Sequence, residues 1–132
     1  MMMASDQQLQ EAPKSGVEVE LHTHRHRLPE DQEGCLGEIK ENRDALTSIL
    51  AKEFHHFCYP SGIWSSKHLP LLRKSDLKSA TTLEIGLNSA QTDPLLLKRF
   101  TDSQLKAQIE FEADMCGIID IYAAIKSFLK FS

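Results

Sequence analysis

Three histidines spaced two apart, His22, His24 and His26, are the first residues in the chain whose type and spacing suit a chemical task. On an extended segment, period two puts all three imidazoles on one side, where they could share Zn²⁺ or Cu²⁺. Arg25 and Arg27 interleave with them and oppose a cation, and the close carboxylates are Glu18 and Glu20. Metal binding through this run is therefore a secondary alternative, and no cofactor is expected.

A second group comprises His55, His56 and Cys58, with His68 ten residues beyond and Cys35 upstream. The spacing matches no zinc finger, and imidazoles at a helix C-terminus are explained by the helix dipole. Cys58 with His55 or His68 is the best candidate for a nucleophile and its base. Nucleophilic catalysis also needs an orienting group and an oxyanion site, and nothing marks either. GxSxG, HExxH, the P-loop and GxGxxG are missing from the sequence. These residues predict a protein that is not an enzyme.

The third group is basic. Residues 64–106 hold seven bases and four acids, within a chain of net charge −4. Lys67, Arg73, Lys74, Lys78, Lys98 and Arg99 suggest phosphate contacts, and 67–87 could form a helix–turn–helix. Its recognition helix would fall near Ser79–Leu87, which lacks base-reading side chains before Asn88. A small nucleic-acid-binding module is thus the alternative, not the preferred reading.

The elements that must position these groups are predicted by periodicity. A hydrophobic fraction of 41% and a charged fraction of 26% fit a folded domain. Residues 1–16 are too polar to offset chain entropy. Val17, Val19 and Leu21 alternate with Glu18 and Glu20 as a strand would, and Leu83, Ile85 and Leu87 are the other short candidate. From Leu36, apolar residues recur at helical steps through Ile39, Leu46, Ile49, Leu50, Phe54 and Phe57. Glu38, Lys40, Glu41, Asn42 and Asp44 form the opposite, solvated face of this helix, and Tyr59–Pro60–Ser61–Gly62 ends it. Asp93–Pro94 reads as a capped helix start. Phe111, Met115, Ile118, Tyr122, Ile125 and Leu129 then trace a stripe on a long last helix.

The expectation is a mostly α small helical bundle. A first helix near 36–58 packs on a C-terminal helix near 102–130, behind a disordered N-terminal arm with at most a minor β-ribbon. The arm is 1–34 and the helical domain 35–132. Three cysteines without a CxxC pair, and no secretory signal or membrane span, point to a cytoplasmic or nuclear setting. The function expected is that of a non-catalytic adaptor or regulatory subunit. It would dock an apolar helical face, coiled-coil-like, on a partner protein or a second copy. The docking residues are Phe54, Phe57, Tyr59 and Trp64 with Ile118, Ile121, Tyr122, Ile125, Phe128 and Leu129.

Overall fold

The computed structural model describes residues 4–101, 103, 105–118 and 121. Its elements run α1 (Asp6–Glu11), α2 (Gln32–Leu50), β1 (His56–Cys58), α3 (His68–Lys74), β2 (Ser79–Thr81) and α4 (Gln108–Met115). The architecture is α/β, and its centre is a parallel sheet.

β1 and β2 pair in parallel, with Phe57 opposite Ala80. Two bridges extend this pairing, Leu21 to Phe57 and Thr81 to Leu97, both parallel. Four parallel positions therefore lie in the order Leu21, β1, β2, Leu97. Parallel neighbours cannot be joined by a tight hairpin, so each step needs a crossover. α2 carries the chain from Leu21 to β1, and α3 carries it from β1 to β2. The hydrogen bonds that close the first step are Leu21 N to the His56 carbonyl (3.1 Å) and Cys58 N to the Leu21 carbonyl (2.9 Å).

Apolar packing holds the layers together. Leu21, Phe57, Ala80 and Leu95 from the sheet side meet Cys35 and Ile39 of α2 and Leu71 and Leu72 of α3. Tyr59 sits in the same core, edge-on to Phe57 at 5.3 Å, and its hydroxyl donates to the Leu95 carbonyl at 3.0 Å. α2 starts where the Asp31 carboxylate accepts the Gly34 N–H at 2.7 Å. It stops where Ala51 turns left-handed, with φ 51°. In α3, Pro70 is tolerated because it lies in the first turn, where its missing N–H breaks no helical bond.

Several expectations are corrected. The first helix ends at Leu50, not near residue 58, and Phe57 lies on a strand. A strand of three residues is too short to show period two, so its apolar residues were absorbed into the helical stripe. The arm is not disordered. Ser5 caps α1 in a reciprocal box with Gln8, Gln10 reaches the Ile49 carbonyl, and Leu21 is 1% exposed. Leu83, Ile85 and Leu87 form no strand and are exposed; β2 lies just before them. Asp93 does cap at Pro94, but over one 3-10 turn. The last helix begins at Gln108, and its expected continuation through Tyr122, Ile125, Phe128 and Leu129 lies outside the described residues.

Leu21 tests the corrected arm. Leu21→Ala should cost about 2–5 kcal/mol, the range for a buried leucine, in urea denaturation of the full chain. A loss below about 0.5 kcal/mol, the scale of surface substitutions, would return residues 17–27 to the status of a tail.

Candidate active site

In parallel α/β architectures, ligands bind beyond the carboxyl ends of the strands, where the loops converge. At that end of this sheet, Leu21 is followed by His22–Arg27, β1 by Tyr59–Gly62, and β2 by Thr82–Glu84. The histidine run therefore sits on the edge where chemistry is expected.

Its geometry is not that of an extended strand. Thr23 has φ 79° and His26 has φ 55°. Left-handed backbone costs a non-glycine residue about 1–3 kcal/mol, and a β-branched threonine is a marked outlier. Thr23 is also buried, and its Oγ1 meets no hydrogen-bond partner among the described residues. The contortion has a result. The His22 and His26 rings come within 4.9 Å, tilted by 58°. His24 turns aside, 4.0 Å from the Glu41 carboxylate.

His22 has a determined tautomer. Its Nδ1 lies 2.8 Å from the Cys58 carbonyl, which can only accept, so Nδ1 carries the proton. In the neutral ring it is Nε2 that carries the lone pair. A carbonyl on one ring nitrogen is the usual support for an imidazole that ligates through the other. Two imidazoles on one tetrahedral ion have ring centres about 5 Å apart, given the usual zinc–nitrogen distance. The observed pair fits that spacing. Among the described residues, no third His, Cys, Asp or Glu completes a set of three that could hold a metal.

The two arginines that argued against a cation are neutralised. Glu38 of α2 is nearly fully buried. It accepts from the Arg25 amide (2.8 Å), the Arg25 guanidinium (3.2 Å) and Arg27 Nε (3.0 Å). Glu41 takes the other end of Arg25 at 2.7 Å. Burial pushes the Glu38 carboxyl up, but the hydrogen bonds from Arg27 and Arg25 outweigh it and hold the group below its ordinary value. Periodicity places Glu38 on the solvated face of the helix, and the structure corrects this. Glu38 is buried because its helical face meets the histidine loop, a contact that periodicity does not encode. The available signal was the spacing of Glu38, Glu41 and Asn42, which stacks three polar groups on one side.

The other candidates fall elsewhere. His68 is buried, takes the Ser65 amide on Nδ1 (3.0 Å), and so donates from Nε2 to the Pro29 carbonyl (3.2 Å). His55 stands before β1, at the opposite sheet end, between Glu53 and Asp76. His56 meets Ser79. Both ring nitrogens of His55 and of His68 are thus engaged away from Cys58, and no nucleophile–base pair forms there. Cys35 is sealed in the core, where burial pushes its thiol up to about 11. Phe54, Phe57 and Tyr59 are core, not docking surface, and Trp64 is half-buried beside Tyr59. Ile118 and Ile121 are exposed; Tyr122, Ile125, Phe128 and Leu129 lie outside the described residues. Of the basic group, Lys67 pairs with Glu30 and Arg73 with Asp93. Lys74, Lys78 and Lys98 are exposed, and Arg99 is half-buried. The segment proposed as a recognition helix is β2 and a loop.

Comparison with known proteins agrees with this architecture. The family model for polysaccharide deacetylase matches residues 2–80, which run from α1 into β2 and cross the expected arm–domain boundary. The chain belongs to the polysaccharide deacetylase family. Solved structures share its fold. A deacetylase, PplD from Streptococcus pyogenes in complex with acetate, superposes with a TM-score of 0.78 at 23% identity, over 85% of this chain and 50% of its own. IcaB from Ammonifex degensii gives 0.68 at 22% identity, over 77% and 49%. A polysaccharide deacetylase from Bacillus cereus gives 0.70 at 22% identity, over 83% and 36%. The chain thus spans half or less of the length of these structures and corresponds to part of that domain. No curated protein sequence matches it.

These findings overturn the helical bundle, the coiled coil and the non-catalytic adaptor or regulatory subunit. The family is one of enzymes, and its domain is built on the parallel sheet seen here. The expectation of a non-enzyme is therefore corrected: the reactive groups at the strand ends are imidazoles, not a Cys–His nucleophile pair.

The Glu38 carboxyl, held below its ordinary value near 4.5, links stability to pH. A group with a depressed folded pKa contributes stability that is present above its unfolded value and lost as pH falls through the folded one. Glu38→Gln should therefore cost about 1–3 kcal/mol at pH 7, the scale of hydrogen bonds to a charged group. Its penalty should shrink below pH 4, as followed by urea denaturation. An equal penalty at both pH values would detach the effect from the carboxylate charge.

Proposed function

We propose that the chain forms part of a hydrolase that removes acetyl groups from a polysaccharide, with His22 and His26 as imidazole ligands to a divalent cation. The observation that carries this reading is the hydrogen bond from His22 Nδ1 to the Cys58 carbonyl. It leaves Nε2 available beside His26, at the carboxyl ends of parallel strands, in a chain of the polysaccharide deacetylase family. The acetate in the Streptococcus pyogenes structure is what deacetylation releases.

His22 and His26 would hold the cation, which would supply Lewis-acid polarisation of the acyl carbonyl. The chain's own residues prepare the place for it. The Cys58 carbonyl selects the His22 tautomer and fixes its ring plane. Glu38 and Glu41 pair with Arg25 and Arg27, whose charge would otherwise oppose a cation. Beyond β1, Ser61 (φ 54°) and Gly62 (φ 67°) turn the chain over the same sheet end. Gly62 packs so closely on Leu83 that a Cβ there would lie 2.6 Å from that side chain. The loops after β1 and β2 are thereby held together.

Acetate release from an acetylated polysaccharide tests the reading. His22→Ala and His26→Ala should each lower the rate about 100-fold or more, since loss of even a supporting group to a metal ligand costs 10–100-fold. His24→Ala should stay within a few-fold, because that side chain faces Glu41. Equal losses at all three histidines, or none at His22, would sink the assignment.

A further inference from the structure

The strained loop from His22 to His26 must be held in shape by something outside itself, because left-handed backbone at Thr23 and His26 persists where surrounding contacts over-determine it. The contacts come from one helix. The amide of His22 donates to Asn42 Oδ1 at 2.9 Å, the amide of His24 to the Glu38 main-chain carbonyl at 3.2 Å, and the amide of Arg25 to Glu38 Oε2 at 2.8 Å. Three backbone N–H groups within four residues thus end on a single turn of α2. Glu38 also takes both arginine side chains of the loop, although these side chains are themselves 49% and 67% exposed.

A carboxylate serving only as a surface ion-pair partner has no reason to be buried, because burial of charge costs more than an exposed pair returns. Glu38 is 3% exposed and spends its side-chain oxygens and its carbonyl on this one loop. Asn42 lies four residues on, on the same helical face, and reaches the amide of His22, the residue whose ring is steered by Cys58.

We propose that Glu38 and Asn42 are positioning residues: together they hold the His22–His26 loop in the shape that presents the two imidazoles, and Glu38 cancels the Arg25 and Arg27 charges beside them. The proposal rests on the reading of His22 and His26 as metal ligands. A purely structural role would lower the unfolding temperature and leave metal affinity alone. A positioning role lowers affinity in protein that is still folded.

The test is cobalt titration of the full chain, followed by visible absorption of bound Co²⁺, with circular dichroism to confirm folding. Wild type should bind Co²⁺, and His22→Ala and His26→Ala should abolish binding. Glu38→Gln and Asn42→Ala should weaken it about 10–100-fold, as expected when an outer-shell partner is lost. Asp44→Asn, which removes an exposed ion pair with Lys40 elsewhere on α2, should change it by less than about 3-fold. If Glu38→Gln does not fold, Asn42→Ala decides by the same criterion. Folded Glu38→Gln and Asn42→Ala proteins that bind cobalt like wild type overturn the positioning role and leave the ligand reading intact. A wild-type chain that binds no cobalt, or histidine variants that bind it equally well, removes the ligand reading and the positioning role with it.

Discussion

Parallel pairing of Leu21 with Phe57 is the interaction on which the rest of the molecule depends. Two backbone hydrogen bonds, one into Leu21 from Cys58 and one out of it to His56, tie a residue near the N-terminus to a strand thirty-six positions later. Because the pairing is parallel, the intervening chain must cross over the sheet, and α2 is that crossover. Because Leu21 is also at the sheet, the next residue, His22, emerges at the strand's carboxyl end beside the last residue of β1. The Cys58 carbonyl then meets the His22 ring. One pairing therefore sets the fold class, places the histidines and selects a tautomer.

The helix that makes the crossover has two jobs on two faces. Cys35 and Ile39 pack it into the core, and Glu38, Glu41 and Asn42 grip the loop that precedes it. Since three residues advance a helix by less than one turn, both faces are fed from the same short stretch. Burying a carboxylate within such a stretch is tolerable here because every oxygen of Glu38 meets a donor, two of them cationic. The result is a charged cluster that is locally balanced, in the same loop as the His22 and His26 rings.

Membership of the polysaccharide deacetylase family, together with the fold shared with solved deacetylases, replaces the picture of a helical adaptor. The exposed apolar residues at Ile63, Leu83 and Ile85 follow from the same architecture. They lie in the loops after β1 and β2, on the side of the sheet where His22 and His26 stand. Among the described residues, no helix is long and apolar enough to cross a membrane.

Local chemistry in the sequence determined the pieces that depend on near neighbours: the helical periodicity that starts at Leu36, the Asp93 cap at Pro94 and the singling out of the histidine run; the helix end expected at Tyr59–Gly62 is not among them, since α2 stops at Leu50. Each is written in spacings of two to four residues, the range over which side-chain periodicity and capping operate. Tertiary structure alone decided the rest. A three-residue strand such as His56–Cys58 carries no readable alternation, and its partner at Ser79–Thr81 is defined by pairing across a crossover. Glu38 looked solvated until the histidine loop folded against it. His24 looked equivalent to His22 and His26 until left-handed backbone at Thr23 and His26 turned it away. In each case the deciding contact joins residues more than ten positions apart, or bends the backbone that a simple period assumes straight.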